Sequence, residues 1–183
     1  MLKIAIVSDF LPTNECSMHS LIPYVIAHMI FSNDIDIVLV GESQGIGLRT
    51  MYVDIHVTSS PNSISRVWNL AMQVSILLGE LVHEGVDIFH AFGITSGLAT
   101  TYVAQSHCIS FAYTSTNTYS LKDSLEVLSA KAIEEEIMNF ASTIIIFDEI
   151  TKTLSMVPKK YIKLSLQDPS MIKKLKDIYR GLT

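Results

Sequence analysis

Apolar residues fall along this chain in two alternating kinds of run. Short, nearly unbroken ones stand at 3–8 (Lys-Ile-Ala-Ile-Val-Ser), 35–40 (Ile-Asp-Ile-Val-Leu-Val), 86–90, 109–113 and 143–147. Runs without polar alternation mark strands covered on both faces, as in parallel sheets. Longer stretches with helical spacing separate them. At 64–84 the repeat is Val67, Leu70, Ala71, Val74, Leu77, Leu78 and Leu81; at 122–140 it is Leu125, Leu128, Ala132, Ile133 and Ile137. Further helices are predicted at 17–32, 95–106, 149–155 and about 170–180. Pro23 places the start of the first near Ser20, or bends it there. Asp168 reads as the N-cap of the last, with Pro169 at its first position. Two weaker strands are predicted, at 50–57 on a sheet edge and near 160–164.

Strands that alternate with helices form a parallel sheet with helices on both faces. The expected architecture is α/β: a Rossmann-like three-layer sandwich with a parallel sheet of six or seven strands and the first strand central. It forms a single domain over 1–183, closed by a terminal helix within 167–183. The chain carries no repeat or low-complexity segment, and 159–169 is the only candidate hinge. Its 183 residues suit one domain. A domain of that size buries roughly 70% of its unfolded surface, so its core needs no disulfides.

Composition narrows the partners. Hydrophobic residues make up 49% and charged residues 17%, which excludes a disordered chain and leaves apolar surface for a partner, so an oligomer is expected. The net charge of −5 argues against nucleic acid. Lysines gather only at Lys159, Lys160, Lys163, Lys173, Lys174 and Lys176. They read as a solvated helix face, with peripheral contact to anionic lipid as the alternative. Cys16 and Cys108 form no metal or redox motif and read as reduced thiols. Met1–Val7 runs straight into a strand instead of a signal peptide, and no 18-residue apolar stretch spans a membrane. The expected location is cytoplasmic, with the inner membrane surface as the lysine-dependent variant.

Candidate chemistry follows from topology. In open parallel sheets, ligands bind outside the carboxyl ends of the strands. Asp9 closes the first strand, His90 closes the 86–90 run, and a hydroxyl-rich loop with Thr114, Thr116 and Asn117 follows 109–113. An imidazole, a carboxylate, an amide and hydroxyls on one rim suit sugar hydroxyls, which need both donors and acceptors. Other motifs read as structure. Gly41–Gly47 is a loop and not a dinucleotide fingerprint, Asp34-Ile-Asp36 is turn chemistry, and Glu134-Glu135-Glu136 is a solvated helix face. No nucleophile elbow, H-E-x-x-H or P-loop is present. No metal and no cofactor is expected.

The order of segments resembles the N-terminal, acceptor-side domain of family 4 glycosyltransferases of the GT-B fold. The resemblance covers about residues 1–166. It rests on Lys3-Ile-Ala-Ile-Val-Ser-Asp-Phe-Leu-Pro12, Asp87-Ile-Phe-His90-Ala-Phe-Gly93, Ser96-Gly-Leu-Ala99, Ile109-Ser-Phe-Ala-Tyr-Thr114 and Glu135-Glu-Ile-Met-Asn-Phe-Ala-Ser142. It implies a half-enzyme that binds a sugar or lipid-linked acceptor, while a second Rossmann-like domain or partner chain binds the sugar nucleotide. His90 matches the family as a catalytic residue, and Asp9, Thr114, Thr116 and Asn117 become acceptor-binding; the donor-binding residues are unknown. The chain departs from the family where a glycine pair belongs, with Asn14-Glu15-Cys16-Ser17 in the first strand–helix loop. Thr116 or Asn117 stands where the family often has a histidine. With these departures and without a donor-binding half, the chain is expected to be inactive alone. The alternative is a non-catalytic Rossmann-like interaction module in a homo- or hetero-oligomer.

Overall fold

A computed structural model describes residues 1–8, 18–41, 49–51, 63–116, 124–151 and 160–183. The unbroken apolar runs are its strands: β1 (Leu2–Ser8), β2 (Ile35–Val40), β3 (Arg49–Met51), β4 (Ile88–Phe92), β5 (Phe111–Thr114), β6 (Thr143–Phe147) and β7 (Ile162–Leu164). They pair in parallel throughout, in the order β3-β2-β1-β4-β5-β6-β7. The sheet thus has seven strands, with the first inside it, third from the β3 edge, and β4 at the middle. The chain winds outward from β1 in both directions, so the order reverses between β1 and β4. In open α/β sheets, ligands bind at such a reversal, outside the carboxyl ends of the two strands.

Helices α1 (Met18–Ile30) and α6 (Met171–Arg180) cover one face; α2 (Ile64–His83), α3 (Ile94–His107) and α4 (Ser124–Phe140) cover the other. A single turn, α5 (Asp148–Thr151), follows β6. Each central strand feeds both cores because successive side chains point to opposite faces. Ala5, Val7, Phe89, Ala91, Phe111 and Tyr113 pack toward α2, α3 and α4. Ile4, Ile6, Ile88, Phe92 and Ala112 pack toward α1 and α6.

Helix α3 packs tightly between the sheet and α4, and Gly97 allows it. A Cβ there would lie 2.7 Å from Tyr113 Cε2 and 3.0 Å from Ile137 Cγ2. Gly93 makes the turn from β4 into α3 at φ 92°, a backbone conformation that costs glycine nothing.

The structure moves several predicted boundaries. Helix α1 runs through Pro23 from Met18. β4 continues two residues past the predicted end, to Phe92, and α3 begins at once after Gly93. Helix α6 starts at Met171, with Ser170 and not Asp168 at its N-cap. Asp168 still holds that end: its Oδ1 accepts from Ser170 N at 2.8 Å and from Ser170 Oγ at 2.7 Å. The edge strand predicted at 50–57 is described only as Arg49–Met51, and most of the 149–155 helix lies outside the described residues. Helix α2 buries Leu70, Ala71, Val74, Leu78 and Leu81, as its spacing predicts.

Helix α4 is rotated from its predicted face. It buries Ala130, Glu134, Ile137 and Met138, while Leu125 and Leu128 are exposed. Apolarity alone chose the wrong stripe because a carboxylate occupies the true one.

Candidate functional site

The carboxyl rim of the central strands is closely built. Ser8 ends β1 level with Phe92 of β4, and Gly93 N donates to Thr114 O at 3.0 Å, tying the β4–α3 turn to the end of β5. On the other side of β1, a Cβ at Gly41 would meet the Tyr24 hydroxyl at 2.8 Å and Ser8 Cβ at 3.2 Å. A residue larger than glycine at 41 would have to displace the Tyr24 hydroxyl.

His90 is not at this rim. Because β4 runs on to Phe92, His90 pairs with Ile6 and Ala112 inside the sheet and is fully buried. Its Nε2 lies 2.9 Å from Thr114 Oγ1, and its Nδ1 lies 2.6 Å from the Tyr179 hydroxyl on α6. The ring sits 4.1 Å from that of Phe92, centroid to centroid. Burial in these apolar surroundings pushes the His90 pKa down to about 3. The imidazole is therefore neutral at physiological pH. One nitrogen donates, the other accepts, and both already have hydroxyl partners. Burial raises the Tyr179 hydroxyl pKa, so it too stays neutral.

Thr114 is fully buried and Thr116 nearly so. The structure brings His90 and Thr114 into direct contact. Asp9 and Asn117 lie outside the described residues.

A second polar group lies on the opposite face of β5. Glu134 of α4 is buried, and its Oε1 accepts from the Tyr113 hydroxyl at 2.8 Å and from the Ser115 hydroxyl. Glu135 and Glu136 are exposed, so the triple-glutamate run is a solvated face only in part. The sequence carried one signal for Glu134, its i+4 spacing from Ala130 and i−4 spacing from Met138. Tyr179 likewise continues the buried stripe of Met171 and Leu175. Neither spacing names the partner across the core.

Asp34, of the D-x-D, accepts from Ser32 Oγ at 2.7 Å and pairs with Arg180 of α6. These two contacts, the serine first, hold its carboxyl below the usual aspartate range. Among the described residues, no cluster of three or more His, Cys, Asp or Glu side chains could hold a metal ion. Nor is any described helix long and apolar enough to cross a membrane.

No family model matches the sequence, and no curated protein matches it. Solved structures do. A shorter chain of sucrose-phosphate synthase from Thermosynechococcus elongatus superposes with a TM-score of 0.66 at 11% identity, covering 98% of this chain and 98% of that one. A longer chain of the same enzyme gives the same TM-score over 91% of this chain, but only 48% of its own length is matched. MurG of Acinetobacter baumannii is similar at TM-score 0.56 and 9% identity, over 90% of this chain and 45% of that one. A UGT transferase from Siraitia grosvenorii in complex with UDP gives 0.56 at 7% identity, over 84% and 46%. This chain thus spans about half the length of the longer proteins it resembles. In fold, it is a Rossmann-like domain similar to one half of these GT-B structures.

Proposed function

We propose that the chain is a glycosyltransferase-related, acceptor-side domain of the family 4 type, which works with a donor-binding half supplied by another domain or chain. One observation carries this reading. The fold matches nearly all of the shorter sucrose-phosphate synthase chain and about half of the longer one. The acceptor is a sugar or a lipid-linked sugar. It meets the chain at the carboxyl rim, where Asp9, Thr114, Thr116 and Asn117 follow strands of one parallel sheet. His90 acts there through Thr114, whose hydroxyl it orients from the core side. It is a positioning residue in this reading.

A glycosyltransferase stabilises its transition state from both sides of the reacting centre, so one half alone turns nothing over. Calorimetric titration of the purified chain with UDP-sugars is expected to show no binding tighter than about millimolar, roughly −4 kcal/mol. Thr116→Ala should weaken acceptor binding by about 0.5–1.5 kcal/mol, the value of one hydrogen bond. Turnover of a nucleotide-sugar by this chain alone would overturn the reading.

The non-catalytic interaction module remains the second reading. It is favoured by the engagement of both His90 nitrogens within the core. Restored sugar transfer on mixing with a donor-binding half supports the first reading; failure with every acceptor class supports the second.

A further inference from the structure

The outward face of α2 carries an uncharged apolar stripe flanked by Asn69 and Gln73. From Val67 to Gly79 no residue is charged. Trp68, Met72 and Ile76 are exposed at 41, 54 and 69%. They recur every four residues and so share one stripe. Gly79 lies on the same stripe, where a Cβ would meet nothing within 4 Å. A mid-helix glycine in open space costs helix stability and serves no packing among the described residues. It does leave a notch in the helix surface.

We propose that this face of α2 is the contact between two copies of the chain, packed antiparallel about a two-fold axis near Gln73. Such an axis makes the contact isologous, each patch meeting itself. Arg66 and Glu80 stand equally far from Gln73, on the same flank of the stripe. The two-fold brings Arg66 of each copy level with Glu80 of the other. Neither side chain has an ion-pair partner among the described residues. On the opposite flank, the same rotation sets Trp68 of each copy over Gly79 of the other, an indole facing the notch. Met72 and Ile76 of the two copies meet in the middle.

A lipid surface fits less well. The lysines Lys173, Lys174 and Lys176 lie on α6, across the sheet from α2, so one flat membrane cannot meet both the apolar stripe and the basic helix.

Sedimentation equilibrium of the full chain tests this. The wild type is expected to dimerise. Gly79→Leu should weaken the dimer about tenfold or more. It should not lower the melting temperature of the dilute chain, since leucine favours a helix over glycine. Arg66→Glu or Glu80→Arg alone should weaken the dimer by about tenfold, two pairs being lost per dimer. The double reversal R66E/E80R should restore it to within about threefold of wild type. A chain monomeric at all accessible concentrations overturns the proposal, as does a dimer indifferent to Gly79→Leu and to the reversals. Binding to phosphatidylcholine or phosphatidylserine vesicles that Ile76→Glu abolishes, in a chain monomeric in solution, reassigns the face to lipid.

Discussion

The His90 imidazole and the Tyr179 hydroxyl, 89 residues apart in sequence, meet at 2.6 Å in the core beneath α6. This bond ties the last helix to the central sheet. The ion pair of Arg180 with Asp34 and the bond from Lys176 Nζ to Ser32 Oγ fasten the same helix at the surface. Tyr179→Phe should therefore cost about 1–3 kcal/mol, the penalty for leaving a buried imidazole nitrogen without its partner. Urea denaturation measures it. A loss below about 0.5 kcal/mol would mean that the bond adds nothing beyond packing.

Acid should destabilise the fold through His90. Its folded-state pKa of about 3 lies below the ordinary 6.5, so the unfolded chain binds the proton first. The stability contributed by the neutral ring is present above pH 6.5. It is lost as pH falls toward 3, at no more than about 1.4 kcal/mol per pH unit. His90→Gln should flatten this slope, whatever its effect on stability at pH 7. Asp34 and Asp168 act in a lower window. Both carboxyls are depressed below 3.8, Asp168 to about 2 chiefly by the Lys174 ammonium, so their contribution fades only as pH falls below that value. Equilibrium unfolding from pH 8 to 4 separates the two; a slope unchanged in His90→Gln would assign it to other groups.

Glu134→Gln should be tolerated far better than Glu134→Leu. Glutamine keeps an acceptor for the Tyr113 and Ser115 hydroxyls, whereas leucine removes the carboxylate both donate to, at about 1–3 kcal/mol in all. Comparing the two denaturation midpoints checks this. Equal losses would mean that side-chain shape, and not hydrogen bonding, sets the site.

Gly97→Ala should destabilise by about 1–3 kcal/mol despite the better helix propensity of alanine. The new methyl would stand 2.7 Å from the ring of Tyr113, which is fully buried and cannot swing aside. A more stable variant by calorimetry would show that α3 can lift from the sheet.

The alternation of unbroken apolar runs with helical repeats was enough to predict a parallel sheet with β1 inside it. These signals are local: burial on both faces removes polar residues from a strand, and a one-sided core imposes a period near 3.6 on a helix. The likeness to GT-B halves was legible for the same reason, in the order of such segments. The extent of β4 was not. His90 looked like a strand end because a polar residue closes the run of 86–90, yet Ala91 and Phe92 continue the ladder and the imidazole is buried between β1 and β5. Glu134 looked like surface for a similar reason. Charge predicts solvent unless the fold provides donors, and Tyr113 and Ser115, which provide them, stand in and just beyond β5, 19 to 21 residues away. The sequence by itself determined which segments are strands and which are helices. Only the tertiary structure decided which polar side chains lie inside, because each is buried by partners that adjoin it in space and not along the chain.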